Sequence, residues 1–395
     1  MEKNLRVCVV SPLYHPSLGG LGRQAQLLTE KLAEDGIQML VIARRMKGMP
    51  PAVFNPKVKV LRAWSVRPYI HTFEKVKLTN ILISLTFSLS CAFLLVRERN
   101  KYDIVHFHGA SLPLFLNLPL LKFLRMRVIA KVASANLGIE AGSLRGRYLG
   151  LGNFIIKLLL LVDAFIATTE EIENGLREDG FSGEKIKRIP NFIDFSIFGT
   201  ATADQKKHLK KKLGLGKGPC VVFSGRFIQR KGINFLLEAW KKVVGNVADA
   251  RLILLGDGPL LGEMKTLARE LGIGDSIDFR GHVHEVPDFL RAADIFILPS
   301  LQEGMPNALL EAMACGMAPV GTRIGGVVDL IQEGVNGMLA DPGDSEGLAE
   351  GMLKLLRDKP LADTIALRSY ETIRDHYHLD SIVPRYRALY KELSA

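Results

Sequence analysis

Cysteine is scarce in this chain of 395 residues: Cys8, Cys91, Cys220 and Cys315 are all there is. They lie far apart in apolar surroundings, and no pair has zinc-finger or redox spacing. That excludes a disulfide framework or a cysteine metal centre and points to buried free thiols in a reducing compartment. The marks of disorder are missing too, since 48% hydrophobic and 24% charged residues are globular values. No short repeat period appears. The N-terminus, MEKNLRVCVVSP, has too short an apolar run and the wrong flanks for a signal peptide. Charge is absent from Leu78 to Val96, a stretch that just reaches the length of a membrane span. It is interrupted by five Ser/Thr and one Asn and falls between two strand-like segments, VKVLRAW and DIVHFH. A buried crossover helix is the expectation there.

What is present is a β-α alternation too long for one ordinary core, implying two domains or one large one. Strand candidates in the first half include LRVCVV (5–10), IQMLVI (37–42), DIVHFH (103–108), RVIAKVA (127–133) and DAFIAT (163–168). The rhythm restarts with PCVVFSG (219–225), RLILLG (251–256), SIDFRG (276–281), DIFILPS (294–300) and APVGT (318–322). Strands hydrophobic throughout mean parallel sheets covered on both faces. The lysine-rich stretch after Pro190 reads as a linker and an exposed helix. The expected division is residues 1–190 and 191–380, with a last helix at about 380–395 packing back on the first domain. Two doubly wound α/β domains would face a central cleft, and ligands would bind off the carboxyl ends of their strands.

The net charge of +11 is uneven. Residues 1–190 hold 27 Lys+Arg against 15 Asp+Glu, a balance of +12, and the remainder hold 25 against 26, a balance of −1. A basic first half implies attraction to something anionic: a lipid surface, a phosphorylated acceptor or nucleic acid. Nucleic acid is set aside, because the lysine cluster has no interleaved aromatics.

Gly20, Gly22 and Ala25 satisfy G-x-G-x-x-A, yet the glycines begin, at Gly19, nine residues after Val10, and the second strand ends in Arg44-Arg45 with no acid for a ribose. The loop can still touch a phosphate or admit a substrate closely. In the second half, CVVFSG runs through Gly225 and Arg226 to Arg230-Lys231-Gly232 and a helix. Cations between a strand end and a helix start are placed for phosphate. The stretch SLQEGMPNALLEAMACGMAPVG carries Glu303 ahead of a helix expected over 306–315, and Glu311 inside it. Apolar neighbours make Glu311 a buried carboxylate in need of donors, whether a ribose diol or a salt bridge. Glu303 would sit by the free N–H groups of the helix start. His106 and His108 alternate onto one strand face; no third metal ligand is evident nearby.

Taken together these segments resemble the retaining glycosyltransferases of GT-B fold, family 4. The motifs DIVHFHG, IPNFIDFSIF, SGRFIQRKG, LLGDGP, FRGHV, DIFILPS, EGMPNALLEAMACGMAPVGT and IGGVVDLI occur in the family's order. The resemblance implies a nucleotide-diphosphate sugar donor, a UDP-sugar ahead of a GDP-sugar. Its acceptor would be a glycan, lipid-linked or phosphorylated hydroxyl. Arg226 and Lys231 would clamp the diphosphate, Glu311 would hold the ribose, and Glu303 would meet the transferred sugar. Gly20, Gly225, Gly281 and His282 would border the donor. The N–H groups of Asn307, Ala308 or Leu309 would meet its oxygens. No cofactor or metal is implied, and no D-x-D follows a strand. Many members carry a histidine where this chain has Ala133 or Ser134, so His108, Asn136 or Glu140 become the acceptor-side candidates. Pro306 is a second departure, having no N–H to donate. A cytoplasmic enzyme, peripheral on the inner face of the membrane, is the expectation. The alternatives are a non-catalytic nucleotide-sugar-binding protein and a nucleotide-sugar epimerase or phosphorylase.

Overall fold

The structure is a computed structural model that describes residues 5–15, 20–46, 49, 52–54, 58–66, 78–132 and 152–394. The chain divides into two compact units: Met1–Asn191 with Asp380–Ala395, and Phe192–Leu379.

The first unit is built on eight strands: β1 (Arg6–Ser11), β2 (Gln38–Arg44), β3 (Ala52–Phe54), β4 (Val58–Ala63), β5 (Ile104–His108), β6 (Arg127–Val132), β7 (Ala164–Ala167) and β8 (Ile186–Arg188). Their order is β3-β4-β2-β1-β5-β6-β7-β8. Alternate residues of β1 and β5 are buried toward opposite faces, which only helices on both sides of the sheet can satisfy. Those helices include α1 (Gly20–Glu34), α2 (Leu78–Arg97), α3 (Leu112–Phe123), α4 (Gly152–Leu159) and α5 (Glu170–Glu178). Strand β3 departs from the expected all-parallel sheet, because it pairs antiparallel with β4. A connection of three residues can only turn the chain back; a parallel return needs a crossover.

The second unit restarts the pattern with β9 (Cys220–Ser224), β10 (Arg251–Leu255), β11 (Ile277–Gly281), β12 (Ile295–Leu298), β13 (Ala318–Thr322) and β14 (Met338–Ala340). The order is β11-β10-β9-β12-β13-β14, parallel throughout. Val221 and Phe223 face one apolar layer and Cys220 and Val222 the other. Its helices are α6 (Ala203–Leu213), α7 (Ile233–Asn246), α8 (Leu261–Glu270), α9 (Val286–Ala292), α10 (Asn307–Ala314), α11 (Gly325–Val328), α12 (Ser345–Arg357) and α13 (Lys359–His376). The lysine-rich helix is α6, closed by a Thr202–Gln205 capping box and by Gly214 in the left-handed region.

The last helix, α14 (Leu379–Ser394), belongs to the first unit. Ile382, Val383, Tyr386, Leu389 and Tyr390 are buried along one side of it. Burial of such side chains contributes about 1.5–3 kcal/mol each, so the helix is firmly docked. All four cysteines are buried and free.

Candidate active site

Each sheet reverses its direction of growth once. In the second unit β10 and β11 extend one way from β9, and β12 to β14 extend the other. The chain growth therefore turns between β9 and β12, and the carboxyl ends of these two strands are where doubly wound sheets bind ligands. Lys231 stands on the loop after β9 and Glu303 on the loop after β12.

From β9 the chain passes Gly225 and Arg226, makes a short 3-10 turn at Gln229–Lys231, and enters α7 through Gly232. Gly232 has φ +62°, and a Cβ there would lie 2.1 Å from the Pro299 carbonyl oxygen. Only glycine lets the two loops approach so closely. The Leu301 N–H donates to the Arg230 carbonyl at 2.8 Å and laces the loops together. Glu303 is thereby folded inward and is only 7% exposed. It forms an ion pair with Lys231. The Ser300 hydroxyl donates to the same carboxylate oxygen, Oε1, at 2.9 Å. Arg230 Nη1 lies 3.6 Å from Oε2. Burial pushes the Glu303 carboxyl up, but Lys231 and Arg230, with the bonds from Lys231 and Ser300, outweigh it and hold it below the usual range. It is ionised at neutral pH.

Three glycines finish the neighbouring strand ends. Gly225 N–H donates to Leu255 O at 2.9 Å, and Gly256 N–H to Gly281 O at 2.7 Å. At Gly256, φ is +138° and a Cβ would meet the Gly225 carbonyl oxygen at 1.8 Å. Arg226 and His282 are exposed beside this platform.

The two glutamates exchange the burial expected of them. Glu303, on the loop, is the buried one, and Glu311, on the helix, is only half-buried. The apolar residues around Glu311 cover most of the helix, but its own direction is only partly covered. Helix α10 begins after Pro306, which sits in extended conformation, and Gly316 follows its end with φ +74°. Asn307 and Ala308 supply the first N–H groups, which have no acceptor inside a helix. The Leu309 N–H instead donates to the Pro306 carbonyl at 3.1 Å, which removes it from the expected set.

In the first unit the reversal falls between β1 and β5. Gly20 opens α1 and is exposed. His108 ends β5, but it is 1% exposed, so its ring is not offered as the acceptor contact expected of it. It lies 4.5 Å, centroid to centroid, from His106 on the same sheet face, with Lys131 of β6 as its register partner. Helix α14 covers that face. The Tyr390 hydroxyl and His106 Nδ1 share a hydrogen bond of 2.7 Å, and Lys131 Nζ donates to the Tyr386 hydroxyl at 3.0 Å. Among the described residues neither ring nitrogen of His108 has a hydrogen-bond partner. Burial lowers Lys131 to about 7. It also lowers His106 to about 3, with help from Lys131, and His108 well below the usual value. Asn136, Glu140, Ala133 and Ser134 lie outside the described residues.

Ser300 and Arg230, which hold Glu303, were visible in the sequence only as members of motifs. Nothing in it signalled that Tyr386 and Tyr390 meet Lys131 and His106 across more than 250 residues of chain.

The family model described as Glycosyltransferase Family 4 matches residues 18–196, and that described as Glycosyl transferases group 1 matches residues 218–358. The chain belongs to glycosyltransferase family 4. This glycosyltransferase is 28% identical over 387 residues to N-acetyl-alpha-D-glucosaminyl L-malate synthase of Bacillus anthracis, with 96% of this chain and 95% of the relative covered. Among solved structures, sucrose-phosphate synthase from Thermosynechococcus elongatus superposes on 98% of the glycosyltransferase and 99% of its own chain, with TM-score 0.84 and 22% identity. HepE of Anabaena, in complex with UDP-glucose, does so with TM-score 0.76 and 18% identity over 97% and 98% of the two chains. The fold is GT-B, two parallel-sheet α/β domains.

Proposed function

We propose that this glycosyltransferase takes a sugar from a UDP-sugar and transfers it, with retention of anomeric configuration, to a hydroxyl of a glycan, lipid-linked or phosphorylated acceptor. The observation that carries this reading is the meeting of Lys231 and Glu303 at the reversal point of the second sheet. A cation for a diphosphate and a carboxylate for a sugar stand side by side there, each held by its own loop.

The donor chemistry follows from those positions. Lys231 and Arg226 face the diphosphate, where negative charge grows as the bond to the anomeric carbon breaks. Fixed cations at such a place are the largest catalytic contribution most enzymes make. The N–H groups of Asn307 and Ala308, at the positive end of α10, add to it. Glu311 receives the ribose hydroxyls, and its half-open position leaves it accessible to them. Glu303, kept ionised and oriented by Ser300, stabilises positive charge on the sugar ring as the leaving group departs. The acceptor hydroxyl then bonds to the anomeric carbon on the face that UDP leaves, and its proton passes to the departing phosphate oxygen. Atoms balance without a cofactor, and the charge that a metal would neutralise falls to Lys231, Arg226 and Arg230. The complex of HepE with UDP-glucose supports UDP as the nucleotide. The free buried cysteines fit a cytoplasmic location.

A panel of UDP- and GDP-sugars, read by nucleotide release, tests the donor, and the anomeric configuration of the product by NMR tests retention. Turnover of GDP-sugars alone would overturn the choice of nucleotide. An inverted product would overturn the mechanism.

A further inference from the structure

The uncharged segment that opened the question of a membrane span has a different role in the fold. Helix α2 crosses from β4 to β5, with Phe87, Cys91 and Leu95 fully buried in the core of the first unit. That face is committed to the sheet, so the helix does not cross a bilayer. Among the described residues nothing packs over its other face. Leu89 is 68% and Phe93 65% exposed, four residues apart and thus on one line along the helix. Only a third of its most apolar window is buried, against the expectation of a buried crossover helix.

The neighbours repeat the arrangement. Helix α3 packs beside α2, where Asn117 Nδ2 donates to the Ser88 carbonyl at 3.2 Å, and α4 packs beside α3. Each turns one side to the core and leaves large apolar side chains outside: Leu116 and Phe123 on α3, Phe154 on α4 and Leu161 in the turn just after it. Phe123 is 84% exposed. Single exposed apolar residues are ordinary on a protein surface, whereas a face of this extent marks an interaction site.

The rim of that face is cationic. All three helices run opposite to the strands, so their C-terminal ends gather at the amino ends of β5, β6 and β7. Arg97, Arg99, Lys101, Arg125 and Arg127 are exposed there. Arg97, Lys101 and Arg127 pair with acids there, but cations outnumber them: Glu98 is shared by Lys59, Arg97 and Lys101, and Asp163 by Lys122 and Arg127. The Arg97 guanidinium lies 5.9 Å from the centre of the Phe93 ring, an apolar residue flanked by a charge at its edge.

We propose that the outer face of α2, α3 and α4 docks on a membrane leaflet rich in anionic lipid. The apolar side chains enter the boundary between headgroups and acyl chains, and the arginine rim binds the lipid phosphates. Helices that lie in this plane are recognised by an apolar face bordered by Lys and Arg. The positive balance of the first half of the chain supplies the longer-range attraction. This inference stands apart from the donor site in the second unit, and its test reads binding, not turnover.

The full chain is floated with vesicles of phosphatidylcholine alone and with added phosphatidylglycerol, at low and high salt. It floats with the anionic vesicles, and high salt weakens the binding. The double variant Leu89→Glu/Phe93→Glu, at exposed positions, keeps its circular dichroism and its UDP affinity while losing at least about tenfold in vesicle binding. Arg97→Gln/Arg99→Gln binds more weakly at low salt and loses most of the salt dependence. Failure of the unaltered chain to float with anionic vesicles would overturn the proposal. So would flotation equal in the Leu89/Phe93 variant. A dimer in solution that the same variant converts to a monomer, with no vesicle binding, would assign the face to self-association.

Discussion

Replacing Lys131 with methionine should stabilise the first unit at pH 7 and cease to do so at pH 10. Lys131 is fully buried between β5, β7 and α14, with His106 and His108 on its own sheet face and Tyr386 and Tyr390 above. Burial lowers it from the ordinary lysine value near 10.5 to about 7. The sign follows from proton counting. Between pH 7 and 10.5 the unfolded chain carries a proton at this site that the folded chain has lost, so stability rises with pH across that window. The penalty is full below pH 7 and gone above 10.5. At pH 7 it amounts to about 4 kcal/mol and at pH 10 to about 1 kcal/mol, as upper limits. Methionine matches the lysine stem in length and carries no charge, but it leaves the Tyr386 hydroxyl short of one partner, a loss of about 1 kcal/mol. The net gain expected for Lys131→Met is therefore roughly 2–3 kcal/mol at pH 7 and near zero at pH 10. Pulse proteolysis across a urea series reads it as a midpoint about 1 M higher at pH 7. Equal differences at the two pH values would show that Lys131 is protonated throughout, and would refute the buried neutral amine.

The histidines under α14 make the opposite end of the pH range sensitive. His106 is lowered by burial and by Lys131 to about 3, so the folded unit resists a proton that the unfolded chain accepts below about 6.5. Acidification from pH 6.5 to 4.5 should remove about 2–3 kcal/mol through His106, with His108 adding to the loss in the same direction, and His106→Phe should make the slope shallower in the same urea series. Gly256→Ala places a Cβ against the Gly225 carbonyl in a conformation that L-residues avoid; thermal unfolding of the second unit should show a loss of at least about 3 kcal/mol. Lys231→Met removes the cation proposed to face the diphosphate. Calorimetry should find UDP binding about 10–100-fold weaker, and the acid limb of turnover should move upward as Glu303 loses its main counter-charge.

The α/β alternation was legible in the sequence because a parallel strand buried on both faces leaves a continuous β-branched run. The antiparallel β3 was not, since three residues make no pattern of their own. The pairing of motifs was legible as well: cations after β9 and carboxylates after β12. Which carboxylate is buried was not. Periodicity describes the faces of a helix, but the inward turn of Glu303 comes from the close pass of Gly232 under Pro299 and the bond between Leu301 and Arg230, which join segments about 70 residues apart. For α2 the missing charges spoke for burial all around. The structure leaves one side open instead, and hydropathy has no means of telling a core from an interface. His108 shows the converse case, a polar residue at a strand end that is nonetheless fully buried.

The central claim is that Lys231 and Glu303 divide the donor between them, phosphate to one and sugar to the other. Glu303→Gln separates the two jobs. The amide keeps the shape of the side chain and its bond from Ser300 but releases Lys231 from its counter-charge. UDP affinity by calorimetry should then be unchanged or up to about tenfold tighter, a difference of about 1.4 kcal/mol. Turnover of the preferred UDP-sugar should fall by about a hundredfold or more, the loss of about 2.7 kcal/mol at the transition state. Full turnover in this variant, or UDP binding lost along with it, would contradict the assignment.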